Sequence, residues 1–249
     1  MRLLLPISVI CWGCNPIGDC AQKSAAPQGG DPVALSTEDG ICLVGDYYVA
    51  SSGNPGVVLL HMTPTSWDRK SWSIDFVRRV HAEQWHVLNL DRRGAGDSDG
   101  EPEDAFNGDG GRKDVDAAVS FLVEQGASSI SLISASNGST SALDYAVWAR
   151  DNARVEPVSL VMMSGGSYTE NQNSISRLAE METPTLFQAD DEDGLWFEEN
   201  FDALNPGDWD YIEYPGAGHG SQMLDETPEV GDDILDFVGE HWPDLTLPG

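Results

Sequence analysis

Residues 129–141 read Ser129-Ile-Ser-Leu-Ile-Ser-Ala-Ser-Asn-Gly-Ser-Thr-Ser141. The first half is an apolar run bounded by turn residues and predicts a strand over Ser129 to Ser134. A helix is predicted to follow over Ser139 to Arg150. Between them stands Ser134-Ala135-Ser136-Asn137-Gly138, a run of mostly small side chains. A chain that passes from strand to helix in one sharp turn has no room for bulk against its neighbours. Strand, tight turn and helix in that order form the repeating unit of an α/β sheet.

The alternation continues outward in both directions. Upstream, Ile41 to Ala50 is β-rich and Ser51 to Gly56 reads as a turn. Gly56-Val-Val-Leu-Leu-His61 is an uninterrupted apolar run, as expected of a strand buried on both faces. Ser71 to Glu83 places Trp72, Phe76, Val77 and Val80 at helical spacing, and His86 to Asp91 is a second central strand. Asp114 to Gln125 carries Val115, Ala118, Phe121 and Leu122 on one helical face. Downstream, Val158–Met163 and Pro184–Gln188 are strands, and Tyr211–Tyr214 is an edge strand. Gly231 to Trp242 closes the pattern with a helix. The expected fold class is α/β, a mostly parallel sheet with helices on both faces, in one domain over residues 33–249. No internal repeat is visible.

The chain has 249 residues, 40% of them hydrophobic, which is enough for a sizeable core and excludes an intrinsically disordered chain. Asp+Glu 42 against Lys+Arg 13 gives a formal charge of −29. Such a charge repels phosphate, so nucleic-acid binding and direct adhesion to anionic lipid are excluded as functions. Lysine occurs only at Lys23, Lys70 and Lys113. An acidic, lysine-poor surface suits a salty medium, where screening relieves self-repulsion, and acidic drift for solubility explains it equally well.

Arg2 precedes an apolar run from Leu3 to Gly13, too short for the roughly 20 residues that a membrane span needs. Residues 1–13 read as a secretory signal. Gly13-Cys14 resembles the end of a bacterial lipoprotein signal, so a lipid anchor at Cys14 is the one membrane contact expected. Residues 14–32 read as a flexible tether, rich in Gln, Ser, Ala, Pro and Gly. The expected location is exported, periplasmic or lipid-anchored, with a cytoplasmic chain as the alternative. Loss of Cys11 with the signal and lipidation of Cys14 would leave Cys20 and Cys42. An oxidising compartment would bridge that pair.

Ligands of open parallel sheets sit beyond the carboxyl ends of the strands. Ser136 stands at such an end, in a turn close to the G-x-S-x-G pattern that exposes a nucleophile. A serine nucleophile needs a base, and the base needs an orienting acid. Downstream, Asp190-Asp191-Glu192-Asp193 follows one strand and the loop Pro215-Gly-Ala-Gly-His219-Gly220 follows another. The order Ser, acid, His is the one this kind of sheet uses. Only one carboxylate can orient the imidazole, and the spacing leaves open which. His81, His86 and His241 show no metal-ligand spacing, and neither metal nor cofactor is expected.

Four segments together resemble the α/β-hydrolase superfamily. Leu59-Leu60-His61-Met62-Thr63 is similar to its strand ending in His-Gly, and Asp91 to Ser98 to its D-x-R-G-x-G-x-S turn. Ser134 to Gly138 is similar to its nucleophile elbow, and Gly216 to Gly220 to its histidine loop. The resemblance covers Val33 to Trp242 and is nearest in flavour to the compact dienelactone-hydrolase-like and serine-esterase-like group. It implies Ser136 as nucleophile and His219 as general base. Counting nine positions from Pro184 implies Asp193 as the acid, with Asp190 and Asp191 as fallbacks. It further implies an oxyanion hole from the backbone N–H of Asn137 and that of Thr63 or Met62, with His61 structural. Two positions depart from the family: Met62 and Ser134 stand where it carries glycine.

Only Ser167 to Glu182 lies where many members insert a helical cap, so no cap domain is expected. The site should be open, walled by Thr63–Ser71, Glu101–Arg112 and Ser167–Ser176, with Trp67, Phe106 and Tyr168 available to substrate. The implied activity is that of a serine hydrolase, in the first instance a carboxylesterase acting on a small-molecule ester through an acyl-enzyme. Peptidases, thioesterases and acyltransferases use the same machinery. The reading from another class is a non-catalytic binding or surface protein on a hydrolase scaffold. Dehalogenase chemistry is disfavoured, since it wants a carboxylate where Ser136 stands.

Overall fold

The computed structural model describes residues 29–165, 175–194 and 208–243, together with residues 20, 23, 27 and 173. Among the described residues eight strands form one sheet: β1 (Asp31–Ser36), β2 (Cys42–Tyr48), β3 (Gly56–Leu60), β4 (His86–Asp91), β5 (Ile130–Ala135), β6 (Ser159–Met163), β7 (Thr185–Ala189) and β8 (Trp209–Glu213). The helices among the described residues are α1 (Ile74–Ala82), α2 (Gly110–Glu124), α3 (Asn137–Asp151), α4 (Ile175–Ala179), α5 (Met223–Glu226) and α6 (Pro228–Glu240). The spatial order is β1-β2-β4-β3-β5-β6-β7-β8. β1 and β2 pair antiparallel, as do β2 and β4. All pairs from β4 to β8 are parallel.

The apolar runs are continuous because the central strands are covered on both sides. Side chains alternate across a strand with period two. Val57 and Leu59 therefore join Phe76, Val77, Val80, Ile234 and Val238 in one core layer, under α1 and α6. Val58 and Leu60 join Val115, Ala118, Leu122, Ala142 and Ala146 in the other, under α2 and α3.

The expected tether over residues 14–32 ends two residues too late. Asp31 and Pro32 already belong to β1, opposite Tyr47 and Asp46. Composition hides this strand because it lies at the sheet edge with its first residues exposed, where proline is tolerated. Cys20, also assigned to the tether, is buried and disulfide-bonded to Cys42 with a Cα separation of 5.5 Å. The signal-like residues 1–13 and Cys14 lie outside the described residues.

Helix starts shift for local reasons. Arg69–Ser71 forms a 3-10 turn, with the Lys70 N–H donating to Asp68 Oδ1 at 2.7 Å, so α1 begins at Ile74 rather than Ser71. α2 begins at Gly110, four residues before the apolar pattern, and packs tightly on the chain ahead of it. A Cβ at Gly111 would lie 2.2 Å from Ser141 Oγ and 2.3 Å from the Ala105 carbonyl. Between β6 and β7 the described residues hold only the five-residue α4, and no cap domain.

β3 is flanked by β4 on one side and β5 on the other, so the chain's winding direction reverses at β3. The crevice beyond the carboxyl ends of β3 and β5 is the topological switch point, where open α/β sheets bind ligands. Met62 and Thr63 leave one strand there and Ser136 the other.

Candidate active site

Ser136 occupies the turn between β5 and α3 with φ 48° and ψ −124°. This left-handed backbone is unfavourable for a side chain and persists only when its surroundings impose it. They do so here: the Ser136 N–H donates to the Met163 carbonyl at 2.8 Å. Its own carbonyl accepts from the Ser139 N–H at 2.9 Å and from Ser139 Oγ at 2.5 Å. Gly138 is required by close approach, since a Cβ would lie 2.5 Å from the Leu60 carbonyl and 2.6 Å from that of His61. Ser134 fits in place of glycine because its buried hydroxyl donates to the Val161 carbonyl at 2.7 Å.

The structure brings His219 to Ser136 and Asp193 to His219. His219 Nε2 lies 2.7 Å from Ser136 Oγ, and Nδ1 lies 2.5 Å from Asp193 Oδ2. With a carboxylate at Nδ1, that nitrogen carries the proton and Nε2 is left to accept from the serine hydroxyl. Such a chain can draw the serine proton as the oxygen attacks an acyl carbon. Ser136 is buried, while the side chains of His219 and Asp193 are 41% and 32% exposed, so the imidazole is reached from solvent.

The other two carboxylates of the acidic run do different work. Asp190 Oδ1 accepts from the N–H groups of Glu192 at 3.0 Å and Asp193 at 3.1 Å. It thereby folds the turn that presents Asp193. Asp191 Oδ1 accepts from the Gly216 N–H at 3.1 Å and ties this turn to the histidine loop. Ser164, which sequence reasoning passed over, holds the loop's other end: its Oγ accepts from the Gly220 N–H at 2.9 Å. A short Ser164-Gly-Gly run at the end of a buried strand was the available signal.

Asn137 opens α3, so its N–H precedes the groups that find acceptors within the helix. Met62 and Thr63 follow β3 across the crevice. The side chain of Met62 is buried in the layer that contains Ile133 and Ala135. A Cβ at Gly220 would come within 2.7 Å of Met62 Sδ, so the bulk gained at one glycine position is matched by glycine after the histidine. His61 is wholly buried; its Nδ1 donates to the Met62 carbonyl at 2.8 Å and its Nε2 accepts from the Arg92 N–H at 3.0 Å. Burial and the nearby Arg92 charge push its pKa down to about 3, which keeps the imidazole neutral. It locks the ends of β3 and β4 together.

The Asp91–Ser98 turn is anchored by buried ion pairs. Arg69 binds Asp46 at 2.8 Å and also Asp91, and Arg93 binds Asp114 at 2.8 Å. Ser98 Oγ donates to the Asp91 carbonyl at 2.7 Å and accepts from the Val44 N–H at 2.9 Å. Of the expected wall aromatics, Trp67 is exposed and Phe106 half-buried, while Tyr168 lies outside the described residues.

Known structures share this architecture. An esterase of Pyrococcus furiosus is 17% identical, with 86% of this chain and 91% of that chain covered and a TM-score of 0.64. A dienelactone hydrolase of Anabaena variabilis is 17% identical over 85% of this chain and 97% of that chain, with a TM-score of 0.64. A lidless α/β serine hydrolase of Xanthomonas campestris is 15% identical over 91% of this chain and all of that chain, with a TM-score of 0.62. No protein-family model matches the chain, and no curated protein matches it significantly in sequence. At these identities the likeness defines the fold: the chain has the α/β-hydrolase fold, in a compact form.

Proposed function

We propose that this protein is a serine hydrolase, in the first instance a carboxylesterase that cleaves a small ester through an acyl-enzyme. The observation that carries the reading is the hydrogen-bonded chain from Ser136 Oγ through His219 to Asp193, at 2.7 and 2.5 Å. In this reading Ser136 attacks the ester carbonyl as His219 takes its proton. The backbone N–H groups of Asn137 and of Thr63 or Met62 receive the oxyanion. His219 then protonates the leaving alcohol, and water repeats the sequence to release the acid. Asp193 holds the imidazole in the required tautomer. The esterases and the lidless serine hydrolase among the similar structures support the same class. An exported location is part of the proposal, supported by the Cys20–Cys42 disulfide, since such bonds persist in oxidising compartments.

The test is covalent labelling with a fluorophosphonate, followed by peptide mapping, alongside hydrolysis of short p-nitrophenyl esters. Labelling at Ser136 is expected, and Ser136→Ala should lose both labelling and turnover while keeping its fold. Turnover near wild type in the purified Ser136→Ala protein would sink the assignment. A folded wild-type protein that takes no label would favour the non-catalytic scaffold.

A further inference from the structure

Arg92 holds the variable position of the Asp91–Ser98 turn and is fully buried, and among the described residues no carboxylate is hydrogen-bonded to it. A guanidinium removed from water without a directly paired carboxylate is costly; the charge that acts on Arg92 from nearby is that of Asp114, which is itself paired with Arg93. Burial lowers the pKa of Arg92 to about 10, so it stays charged at neutral pH.

Its contacts converge on the two sides of the crevice. Nη1 donates to the His61 carbonyl at 3.3 Å, the Met62 carbonyl at 3.3 Å and Asn137 Oδ1 at 3.0 Å. Nη2 donates to the Ala105 carbonyl at 3.1 Å and to Ser141 Oγ at 2.7 Å, which fixes the fork from behind. The Met62 carbonyl and the Thr63 N–H belong to one peptide plane, and those of His61 and Met62 to the plane before it. In a trans peptide the carbonyl and the N–H point in opposite directions. A cation at the carbonyl ends therefore aims both N–H groups away from itself and polarises them as donors. The same guanidinium holds the side chain of Asn137, whose own N–H is the donor on the opposite side.

We propose that Arg92 is the positioning residue of the oxyanion hole: one buried cation that orients the donors after β3, strengthens them through their peptide dipoles, and holds the Asn137 side chain at the start of α3 against them. The proposal rests on the serine-hydrolase reading of Ser136. It predicts a defect in the transition state and not in substrate binding.

The experiment measures phenylboronic acid affinity, kcat and KM for a p-nitrophenyl ester in wild type, Arg92→Lys and Arg92→Gln, with near-UV circular dichroism as the fold check. The boronate adds to the serine oxygen and mimics the tetrahedral intermediate. Losing one oxyanion donor costs about 10²–10³ in kcat in other serine hydrolases. Arg92→Gln is expected to lose about 100-fold in boronate affinity and kcat, with KM within about threefold. Arg92→Lys, which keeps the charge but not the fork, should recover part of that loss. A folded Arg92→Gln protein within about threefold of wild type in boronate affinity overturns the proposal. So does a loss carried by KM alone. If neither Arg92 variant folds, Asn137→Ala cuts one arm of the fork and leaves the backbone donor. A loss of about fivefold in boronate affinity is then expected, and a change under about twofold overturns the idea. Wild-type protein that neither takes a fluorophosphonate nor binds boronate refutes the serine-hydrolase reading itself, and the Arg92 proposal with it.

Discussion

Replacing the carboxylates of the acidic turn one at a time separates three roles that lie within four residues. Asp193 Oδ2 accepts a hydrogen bond from His219 Nδ1 at 2.5 Å. In Asp193→Asn the amide group can donate to Nδ1, which favours the tautomer protonated at Nε2. That tautomer cannot accept the Ser136 proton, and loss of the acid's charge also removes stabilisation of the imidazolium. In another triad the same change lowers kcat about 10⁴-fold, and a loss of that order, about 5 kcal/mol in the barrier, is expected here. Asp190→Asn keeps an oxygen that can accept from the Glu192 and Asp193 N–H groups, so its rate should stay within about threefold of wild type. Asp190→Ala removes both bonds, each worth about 1 kcal/mol net, and the loosened turn should cost about tenfold or more. Asp191→Ala removes one bond to Gly216 and should cost about fivefold. Initial rates on p-nitrophenyl butyrate at saturating and limiting concentration resolve the series, with circular dichroism as the fold check. A loss at Asp190→Asn or Asp191→Asn equal to that at Asp193→Asn would refute the division of labour.

Two further expectations concern stability. The wholly buried His61 has a pKa near 3 against about 6.5 in an unfolded chain. As pH falls through that window the unfolded state takes up a proton that the folded state refuses, so stability is present above about pH 6.5 and lost below it. Between pH 6 and pH 4 this amounts to about 2–3 kcal/mol, and urea unfolding of wild type against His61→Gln should show that excess acid sensitivity; parallel pH profiles would exclude it. The Cys20–Cys42 bridge spans a sequence separation of 22, for which loop-closure entropy predicts about 3 kcal/mol. Reduction should lower the urea midpoint and free two additional thiols, whereas an unchanged midpoint would show that the bridge carries no stability.

Much of the architecture was legible because its causes are local. Val57 to Leu60 must be a buried strand wherever it sits, since both alternating faces are apolar. Ser136 stood out because a strand-to-helix turn admits only small neighbours, and His219 because glycines surround it. The cysteine arithmetic left Cys20 and Cys42, and the structure pairs them. Asp31 and Pro32 carry a tether-like composition and yet form a strand, because an exposed edge strand owes its conformation to pairing with Tyr47 and Asp46, which composition does not record.

The sequence by itself determined the alternation of strand and helix, the sharp turn at Ser136 and the chain order of serine, acid and histidine. These follow from side-chain size, backbone freedom and period, which act over a few residues. The family resemblance implied Asp193 by its count from Pro184, but the residues themselves left Asp190, Asp191 and Asp193 open, and the tertiary structure shows why Asp193 meets the imidazole. Three chemically alike carboxylates differ there only in direction, and direction is set when the Asp190 turn folds against the Gly216 loop. Tertiary structure likewise decided that Met62 is accommodated above Gly220, and that Arg92 is buried behind the crevice while Arg78 on α1 is left at the surface. Two arginines look the same in a sequence. What separates them is the set of carbonyls that distant segments bring to the guanidinium, and that set exists only once β3, β4 and α3 have packed together.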